Sequence, residues 1–416
     1  MPAPNTLGID FGTSNSAAGI AVNGTPWLVE LESGVRTLPT AVFFGVRPTR
    51  TWIGSKAVNA LIDGDEGRFM RALKSLLGTP LMREERLLGG ERVDFIEVTA
   101  RFLREVKGRA EAACHQEFSH ALSGRPVRFH SKDARRDEQA ELDLRDCYRA
   151  AGFQDVSFMY EPEAAVHSAA PEPGLGLIAD IGGGTSDFTV FEQDSDGQTR
   201  ILASEGVRIG GTDFDRLISI AHVMPLLGRG SAIRDAFGSG TLPAPARIFN
   251  DLATWQMIPF LYSAATRRSA QELLRQAAEP DKLARLVSVL EDELGHDLAF
   301  AAERGKIHAN QPDHPGAKVD LRILEPGLSV PLSTAMLADD LSAPAEDIAR
   351  CGAAALSKAQ VTPQDVGRVL LVGGSSLLHP VQAALQQLCP QARLHSRNAL
   401  TAVAEGLALK ASDARC

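Results

Sequence analysis

Two segments far apart in the chain follow one plan: "LGIDFGTSNSAAGIAV" (Leu7–Val22) and "LIADIGGGTSDFTVFE" (Leu177–Glu192). Each has an apolar run that carries an aspartate near its end, Asp10 or Asp180, then a turn of glycine and small hydroxyl residues, and then a second apolar run. Glycine and small polar residues between two strand-like runs predict a β-hairpin. The chain is therefore predicted to have two related halves, each of which contributes one hairpin to a shared cleft.

The composition of these turns predicts a phosphate site. Three consecutive glycines, Gly182–Gly184, leave bare backbone whose N–H groups can converge on phosphate oxygens, and Thr13 and Thr185 add hydroxyl donors. Asp10 and Asp180 would repel phosphates on their own, so they imply Mg²⁺, which carboxylates hold directly or through water. We interpret the matched pair as a metal–nucleotide site; the alternative is two tight turns with surface carboxylates.

A third glycine turn lies near the C-terminus, in "GRVLLVGGSSLLHPVQAALQQL" (Gly367–Leu388). An apolar strand leads through Gly373 and Gly374 into a predicted amphipathic helix, for which Ser375 or Ser376 is the predicted N-cap. A glycine pair before a helix lets a flat ligand or a phosphate approach the backbone and the positive helix end. Alone, this pattern is common in α/β proteins.

Composition excludes several classes of protein. At 416 residues the chain is long enough for two domains, and its net charge of −9 argues against general nucleic-acid binding. The five cysteines, Cys114, Cys147, Cys351, Cys389 and Cys416, show no C-x-x-C spacing, which indicates a reducing compartment and no zinc site. The sequence contains no secretory signal and no apolar run of membrane-spanning length, so we expect a cytoplasmic protein without a membrane partner.

These motifs resemble those of the actin-like ATPase superfamily, and within it the DnaK-type seventy-kilodalton heat-shock chaperones. The resemblance rests on the two phosphate motifs "GIDFGTSNS" and "DIGGGTSDF", on "YEPEAAV" (Tyr160–Val166), on "IGGTDFDRLI" (Ile209–Ile218), and on "AAERGKI" (Ala301–Ile307), which is similar to an adenine-clamping helix. "MPLLG" (Met224–Gly228) and "FNDLATW" (Phe249–Trp255) resemble the short YegD-type proteins, which lack the peptide-binding domain.

The resemblance implies an α/β, actin-like ATPase fold with two ribonuclease-H-like lobes around a central nucleotide cleft. We expect lobe I over residues 1–170, lobe II over 175–395, and a terminal helix in 396–416 that returns to lobe I. No peptide-binding domain is expected. Within lobe II, residues 228–249 and 310–320 are predicted surface loops, and residues 268–306 are predicted to be helical with a break at Pro280.

The resemblance also assigns roles to residues. Lys74, in "RALKSLLG", matches a catalytic lysine aimed at the γ-phosphate; without the resemblance it would be interpreted as a helix-surface lysine. Glu161, which precedes Pro162 at a predicted helix start, would orient water or couple the lobes. Asp187 would hold a cation or position water. The implied catalytic set is Lys74, Glu161, Asp180, Thr185 and Asp187, and the implied metal ligands are Asp10 and Asp180.

The implied ligand is ATP or ADP with Mg²⁺, and K⁺ is allowed as a second cation. The implied nucleotide-binding residues are Gly12, Thr13, Ser14, Asn15, Gly182, Gly183, Gly184, Thr185, Gly210, Gly211, Glu303, Lys306, Gly373, Gly374 and Ser375. Glu303 and Lys306 lie three apart on a predicted helix, where a surface ion pair is the alternative. Ile307, Leu377 and the absence of an aspartate before the last helix depart from the family pattern on the adenine side.

Two functions are compatible with this fold. The first is a slow Mg²⁺-dependent ATPase whose nucleotide state switches the conformation that controls a protein client. The alternative is an actin-like scaffold in which the nucleotide stabilises an assembly and turnover is incidental. A small-molecule kinase is a weaker third possibility, because no acceptor-pocket signature is visible. The sequence identifies neither the client nor the oligomeric state.

Overall fold

The computed structural model describes residues 5–47, 49–130, 133–168, 172–196, 198–234, 240–311, 316–396 and 399–411. Cys416 lies outside this part of the chain. The four cysteines within it, Cys114, Cys147, Cys351 and Cys389, are free thiols. None of the described helices is both long and apolar enough to cross a membrane.

The strands are, in chain order, β1 (Thr6–Phe11), β2 (Asn15–Val22), β3 (Thr25–Leu28), β4 (Thr37–Pro39), β5 (Ala41–Val46), β6 (Thr49–Ile53), β7 (Gly67–Arg71), β8 (Arg86–Leu88), β9 (Glu91–Val93), β10 (His120–Arg125), β11 (Asp155–Tyr160), β12 (Gly174–Ile181), β13 (Ser186–Gln193), β14 (Thr199–Val207), β15 (Ala232–Arg234), β16 (Thr241–Pro243), β17 (Lys318–Asp320), β18 (Ser329–Pro331), β19 (Arg368–Val372) and β20 (Arg393–His395).

The α-helices are α1 (Ser55–Ile62), α2 (Phe95–Cys114), α3 (Ala134–Ala150), α4 (Glu161–Ser168), α5 (Gly211–Ile218), α6 (Ala246–Leu252), α7 (Ala264–Gln276), α8 (Pro280–Glu291), α9 (Gly295–Ala309), α10 (Thr334–Ala359), α11 (His379–Leu388) and α12 (Ala402–Ala411). Short 3-10 turns occur as well, including those at Leu73–Leu76 and Gly374–Leu377.

The chain divides into two compact units, residues 1–210 with 347–416, and residues 211–346. The first unit contains two mixed sheets of similar plan. One has the strand order β11-β10-β1-β2-β3, with β4 also paired to β2, and the other has the order β14-β13-β12-β19-β20. In each sheet an antiparallel hairpin, β1–β2 or β12–β13, continues into parallel strands. This α/β architecture confirms the predicted fold class; the predicted lobe boundaries stay a prediction.

The two predicted hairpins are present and have equal loops. In the first, Phe11 lies opposite Ser16, and in the second, Ile181 lies opposite Ser186. Both loops therefore contain four residues. The strand before each loop is almost wholly buried, so its aspartate is carried to the end of a rigid element rather than onto a flexible surface loop.

Helices α2 and α3 cover the first sheet. Asp94 caps α2 by accepting a hydrogen bond from the Glu97 N–H, and Asp133 caps α3 in the same way at its first turn. The apolar face of α2 contributes Phe102, whose ring lies 5.8 Å from that of Phe11. Phe102 is fully buried, so this packing anchors the strand that ends at the first glycine turn.

The predicted terminal helix is confirmed as α12, which packs against α4 and the first sheet. Glycine makes this packing possible. A Cβ on Gly406 would overlap the carbonyl of Ala164, and a Cβ on Gly8 would lie 2.7 Å from the Ala408 nitrogen. Because α4 begins at Glu161, this close crossing fixes the backbone that carries Glu161.

Residues 268–306, which were predicted to be helical with a break at Pro280, lie in the second unit. Helices α7, α8 and α9 confirm this prediction, and Pro280 is the first residue of α8. The prediction of a surface loop over 228–249 was wrong, because the hairpin β15–β16 and the start of α6 lie there. The same holds for residues 318–320 of the second predicted loop, which form β17 and pair with β18. Short strands of three residues give no clear period in the sequence.

Candidate functional site

An open pocket of about 120 Å³ lies in the first unit where the two hairpin loops and the third glycine turn converge. Most of the predicted residues line it, together with four apolar residues that the sequence did not single out. The lining residues are Asp10, Gly12, Thr13, Ser14, Asn15, Lys74, Glu161, Asp180, Gly182, Gly183, Thr185, Val372, Gly373, Gly374, Ala399, Leu400 and Val403. Sequence positions from six separate regions are thus brought to one cavity.

The two glycine loops face each other across this pocket. A Cβ on Gly183 would lie 2.5 Å from the Ser14 hydroxyl oxygen, so that glycine is explained in part by contact between the loops. Gly182 and Gly184 differ, because a Cβ there would meet no protein atom closer than 3.7 Å and 3.9 Å. Neither crowding nor a left-handed backbone requires glycine at these two positions. Bare backbone there is consistent with the approach of a ligand.

Lys74 lies in the 3-10 turn Leu73–Leu76, not on a helix surface. Its side chain is buried and forms an ion pair and hydrogen bond with Glu161, the first residue of α4. Burial works to lower the pKa of the Lys74 ammonium, but the charges of Glu161 and Asp10 and the hydrogen bond to Glu161 together raise it. Lys74 is therefore a permanently charged ammonium within the pocket.

Three carboxylates near Lys74, those of Asp10, Asp180 and Asp187, have raised pKa values. Burial first, and the charge of Glu161 second, raise the pKa of Asp10 to about 7 and that of Asp187 to about 8. The pKa of Asp180 is raised well above its ordinary value by burial and by its carboxylate neighbours Glu161, Asp187 and Asp10. Lys74 opposes the shift in all three cases. One ammonium does not balance this cluster of four carboxylates.

Asp187 does not line the pocket. It lies directly opposite Asp180 in the β12–β13 pair, is 2% exposed, and its Oδ1 atom has no hydrogen-bond partner among the described residues. That oxygen faces Gly206, where a Cβ would lie 2.5 Å from it. A buried carboxylate with an unsatisfied oxygen is costly in its charged form. Burial therefore favours the protonated form of Asp187 behind the pocket wall.

The donor set fits a hydrated divalent cation rather than a closed metal cage. Among the described residues no group of three or more His, Cys, Asp or Glu has the arrangement of a metal centre. Mg²⁺, however, takes one or two carboxylates and keeps several waters. Asp10 and Asp180 both line the pocket, and their pKa values are raised first by burial and then by the charge of neighbouring carboxylates, which a bound cation would offset.

The third glycine turn differs from its prediction. Residues Gly374–Leu377 form a 3-10 turn, and helix α11 begins only at His379, with Pro380 in its first turn. The prediction that Ser375 or Ser376 caps this helix was therefore wrong. Instead, the Ser376 hydroxyl donates to the Gly373 carbonyl at 2.7 Å. Ser375 does not line the pocket.

Gly373 requires glycine for a geometric reason. Its φ is +77°, and a Cβ would collide with the Ile181 carbonyl at the end of β12. Its N–H donates to the Ala399 carbonyl at 2.7 Å, which ties the turn to the segment before α12. That segment supplies Leu400, 59% exposed, to the pocket wall. Sequence reasoning noted the missing aspartate there but did not identify Leu400 as a wall residue.

The remaining predicted residues lie elsewhere. Gly210 approaches the second loop, because its Cβ would lie 2.5 Å from the Gly184 nitrogen. Gly211 begins α5 in the second unit. Glu303 and Lys306 lie in α9 of that unit, where Lys306 is buried and forms an ion pair with Asp215 at 2.7 Å. Lys306 is thus not part of a surface ion pair, and nucleotide binding by these residues stays a prediction.

Comparison with known proteins finds similarity to one family. The model of the Hsp70 protein family matches residues 6–87, the part of the chain that contains the first hairpin and Lys74. The chaperone protein DnaK of Cenarchaeum symbiosum (strain A) is 24% identical over 417 aligned residues, which cover 97% of this chain and 54% of that protein. In both comparisons the chain is similar to members of the Hsp70 family. It spans about half the length of the curated relative that it matches.

These similarities support the actin-like ATPase fold and a nucleotide-binding protein. The particular similarity to YegD-type proteins stays a prediction. The 82 residues of the family match end before Glu161 and the second glycine loop. The pocket geometry therefore adds information on those residues that the family match does not contain.

Proposed function

We propose that this chain binds ATP with Mg²⁺ in the pocket between the two glycine loops and hydrolyses it slowly, and that the nucleotide state switches its conformation. The observation that carries the proposal is the convergence of two loops of equal length on one buried ammonium among four carboxylates. An ammonium and backbone N–H groups suit phosphate oxygens, and the carboxylates suit the accompanying cation.

The glycine loops would hold the phosphates. Gly12 and Gly182 each follow a buried strand and line the pocket together with the hydroxyls of Thr13 and Thr185. Backbone N–H and hydroxyl donors fixed at strand ends need little reorganisation when an anion binds. This arrangement supports a polyphosphate that lies against both loops.

Asp10 and Asp180 would hold the magnesium ion, directly or through its waters, and the ion would supply charge neutralisation between the phosphates. This cation would lower the two pKa values that burial raises, because a nearby positive charge favours the ionised carboxylates. The carboxylates in turn fix where the phosphates can lie.

Lys74 and Glu161 would act on the terminal phosphate. Phosphoryl transfer requires mainly positioning and stabilisation of charge on the transferred group, which a fixed ammonium supplies. Glu161 orients Lys74 by their ion pair and places a carboxylate next to the pocket, where it can accept a hydrogen bond from an attacking water. The low exposure of both groups strengthens these interactions.

The relative's name, chaperone protein, suggests that the switch controls the binding of a protein client. We therefore propose a protein partner whose affinity depends on whether ATP or ADP is bound. No feature of the described residues favours the alternative of a nucleotide-dependent scaffold over the switch.

A matched pair of glycine substitutions tests nucleotide binding. Gly182→Ala adds a methyl group to the pocket wall without crowding the protein, so it should leave the folding stability unchanged and lower the affinity for Mg-ATP at least tenfold in calorimetry. Gly108→Ala makes the same change on the exposed side of α2, where no atom lies within 4 Å. It should bind ATP like the parent chain. Equal affinity in both variants would contradict the assigned site.

Hydrolysis is tested separately by single-turnover cleavage of radiolabelled Mg-ATP with the protein in excess. Slow cleavage by the parent chain that is strongly reduced but still measurable in Lys74→Ala, while ATP still binds, would support the ATPase. Binding without cleavage in either protein would refute the ATPase and favour the scaffold.

A further inference from the structure

The turn that carries Lys74 is fastened to helix α3, and we propose that Asp143 and His130 are positioning residues that hold the Lys74 ammonium in place for ATP cleavage. The inference rests on the proposed function, because it assumes that Lys74 acts on a phosphate. It concerns two residues that line no part of the pocket.

The lysine turn is bounded by two left-handed residues. Ala72, which precedes it, has a φ of +59°, and Gly78, which follows it, has a φ of +74°. A left-handed conformation in a residue other than glycine costs about 1–3 kcal/mol and persists only where surrounding contacts enforce it. Within the turn, the hydrogen bond from the Leu77 N–H to the Lys74 carbonyl is long, at 3.4 Å. The start of the turn is held from within, because the Ser75 N–H and hydroxyl both donate to the Ala72 carbonyl, at 3.0 Å and 2.7 Å; contacts from outside the turn are needed mainly at its Leu77 end.

One peptide group receives those contacts on both sides. The Leu77 carbonyl accepts a hydrogen bond of 2.7 Å from His130 Nε2, which must carry the proton because a carbonyl only accepts. The N–H of the same peptide group, on Gly78, donates to Asp143 Oδ2 at 3.0 Å. Because a peptide group is planar, holding its oxygen and its nitrogen fixes its orientation. The chain direction three residues after Lys74 is thus determined by α3 and its N-terminal flank.

Both holding groups are themselves fixed. Asp143 is 1% exposed, and its other oxygen accepts from Gln139 at 2.8 Å and from Arg83 at 3.1 Å. His130 is buried, and its backbone N–H donates to Asp137 in the first turn of α3. Because Asp143 and His130 are both fixed, their hydrogen bonds leave the Leu77–Gly78 peptide group little freedom to rotate.

Gly78 is required for this approach. A Cβ there would overlap the Arg136 carbonyl of α3 and would lie 2.9 Å from His130 Nε2. Only glycine lets the turn come close enough to α3 for both hydrogen bonds. The left-handed Ala72, Gly78 and the two hydrogen bonds to the Leu77–Gly78 peptide group act together. They determine the position of Lys74 relative to the two glycine loops.

The first experiment compares Asp143→Ala with Asp146→Ala in the full chain. Asp146 accepts from the same Arg83 at 2.9 Å but does not contact Gly78, so it controls for loss of the ion pair. We expect Asp143→Ala to lower single-turnover cleavage of Mg-ATP by about 10- to 100-fold, because small displacements of a catalytic group have effects of that size. Mg-ADP affinity should stay within about twofold. Asp146→Ala should match the parent, and Asp143→Asn, which keeps an acceptor for Gly78, should recover most of the rate.

A double substitution distinguishes positioning from general stabilisation. If Asp143 acts through Lys74, then Asp143→Ala should lower cleavage no further in a chain that already carries Lys74→Ala. Independent, additive losses in the double variant would overturn the proposal, and so would an unchanged rate in Asp143→Ala. If Asp143→Ala does not fold, His130→Ala replaces it in the same tests. This substitution removes only the hydrogen bond to the Leu77 carbonyl.

A second readout needs no ATP turnover. Acetylation of Lys74 by acetic anhydride, followed by mass spectrometry, measures how well the turn keeps the ammonium buried. We expect faster acetylation in Asp143→Ala than in the parent chain and an unchanged rate in Asp146→Ala. A parent chain that never cleaves ATP would refute the proposed function, but the acetylation rate would still test whether Asp143 positions Lys74. Equal Lys74 reactivity in the parent chain and in Asp143→Ala would refute that positioning role.

Discussion

Asp187→Asn should make the ligand-free protein more stable, and the gain should grow with pH. The Asp187 side chain is 2% exposed and one of its oxygens is unpaired, and burial with the charge of Glu161 raises its pKa from 3.8 to about 8. Between these two values the folded chain holds a proton on Asp187 that the unfolded chain has lost. The free energy of unfolding therefore falls as the pH rises through this window, and the penalty is complete above about pH 8.

The magnitude follows from the width of the window. Each pH unit is worth about 1.36 kcal/mol, so between pH 5 and pH 8 the cost of Asp187 grows by about 4 kcal/mol. Asparagine has the shape of the protonated acid and no such dependence. The stability difference between Asp187→Asn and the parent chain should therefore increase by up to about 4 kcal/mol across these three units. This is an upper value, because Asp180 and Asp187 interact and do not lose their protons independently.

The assay is urea denaturation at pH 5 and pH 8 without nucleotide or divalent cation, analysed by linear extrapolation. Asp65→Asn, which removes an exposed carboxylate, is the control and should show no such pH-dependent gain. If the difference between Asp187→Asn and the parent chain is the same at both pH values, Asp187 does not carry a raised pKa in the folded chain. The account of the carboxylate cluster would then fail.

Three other substitutions have expected outcomes in the same denaturation assay. Lys74→Ala should lower the free energy of unfolding by about 3–5 kcal/mol at pH 8, because it leaves Glu161 buried without its partner; no loss would mean that the pair is not formed. Gly406→Ala should destabilise by about 3 kcal/mol, since its Cβ would overlap the Ala164 carbonyl and separate α12 from α4; a neutral effect would contradict that crossing. Gly108→Ala should stabilise by about 1 kcal/mol, because it replaces an exposed glycine inside α2 where there is open space; destabilisation would contradict the helix at that position.

The parts of the site that depend on local patterns could be predicted from the sequence. The apolar runs around "DFGTSN" and "DIGGGTSD" contain the whole signal for a hairpin, and both hairpins are present with their aspartates at the strand ends. Glu161 before Pro162 likewise predicted a helix start, and α4 begins there. In each case the residues that determine the structure are neighbours in the chain.

The parts that depend on distant contacts could not be predicted. A serine after a glycine pair is a normal helix cap, but Pro380 shifted the start of α11 and left Gly374–Leu377 as a 3-10 turn. Asp143 resembles a surface residue of an amphipathic helix, because its partner Gly78 lies 65 positions away in the chain. Leu400 lines the pocket because the Ala399 carbonyl is bound by Gly373. None of these contacts leaves a periodic pattern in the sequence.

The charge of the site links its stability to its ligand. In the ligand-free chain four carboxylates share one ammonium, and three of them have raised pKa values, so the folded state carries a cost that increases with pH. A cation that binds only the folded chain would relieve this cost and stabilise the fold by mass action. Mg²⁺, which arrives with the phosphates, would favour the ionised form of these carboxylates. The electrostatic cost of the carboxylate cluster is thus a physical reason for a difference between the ligand-free and nucleotide-bound states, which a nucleotide-driven switch requires.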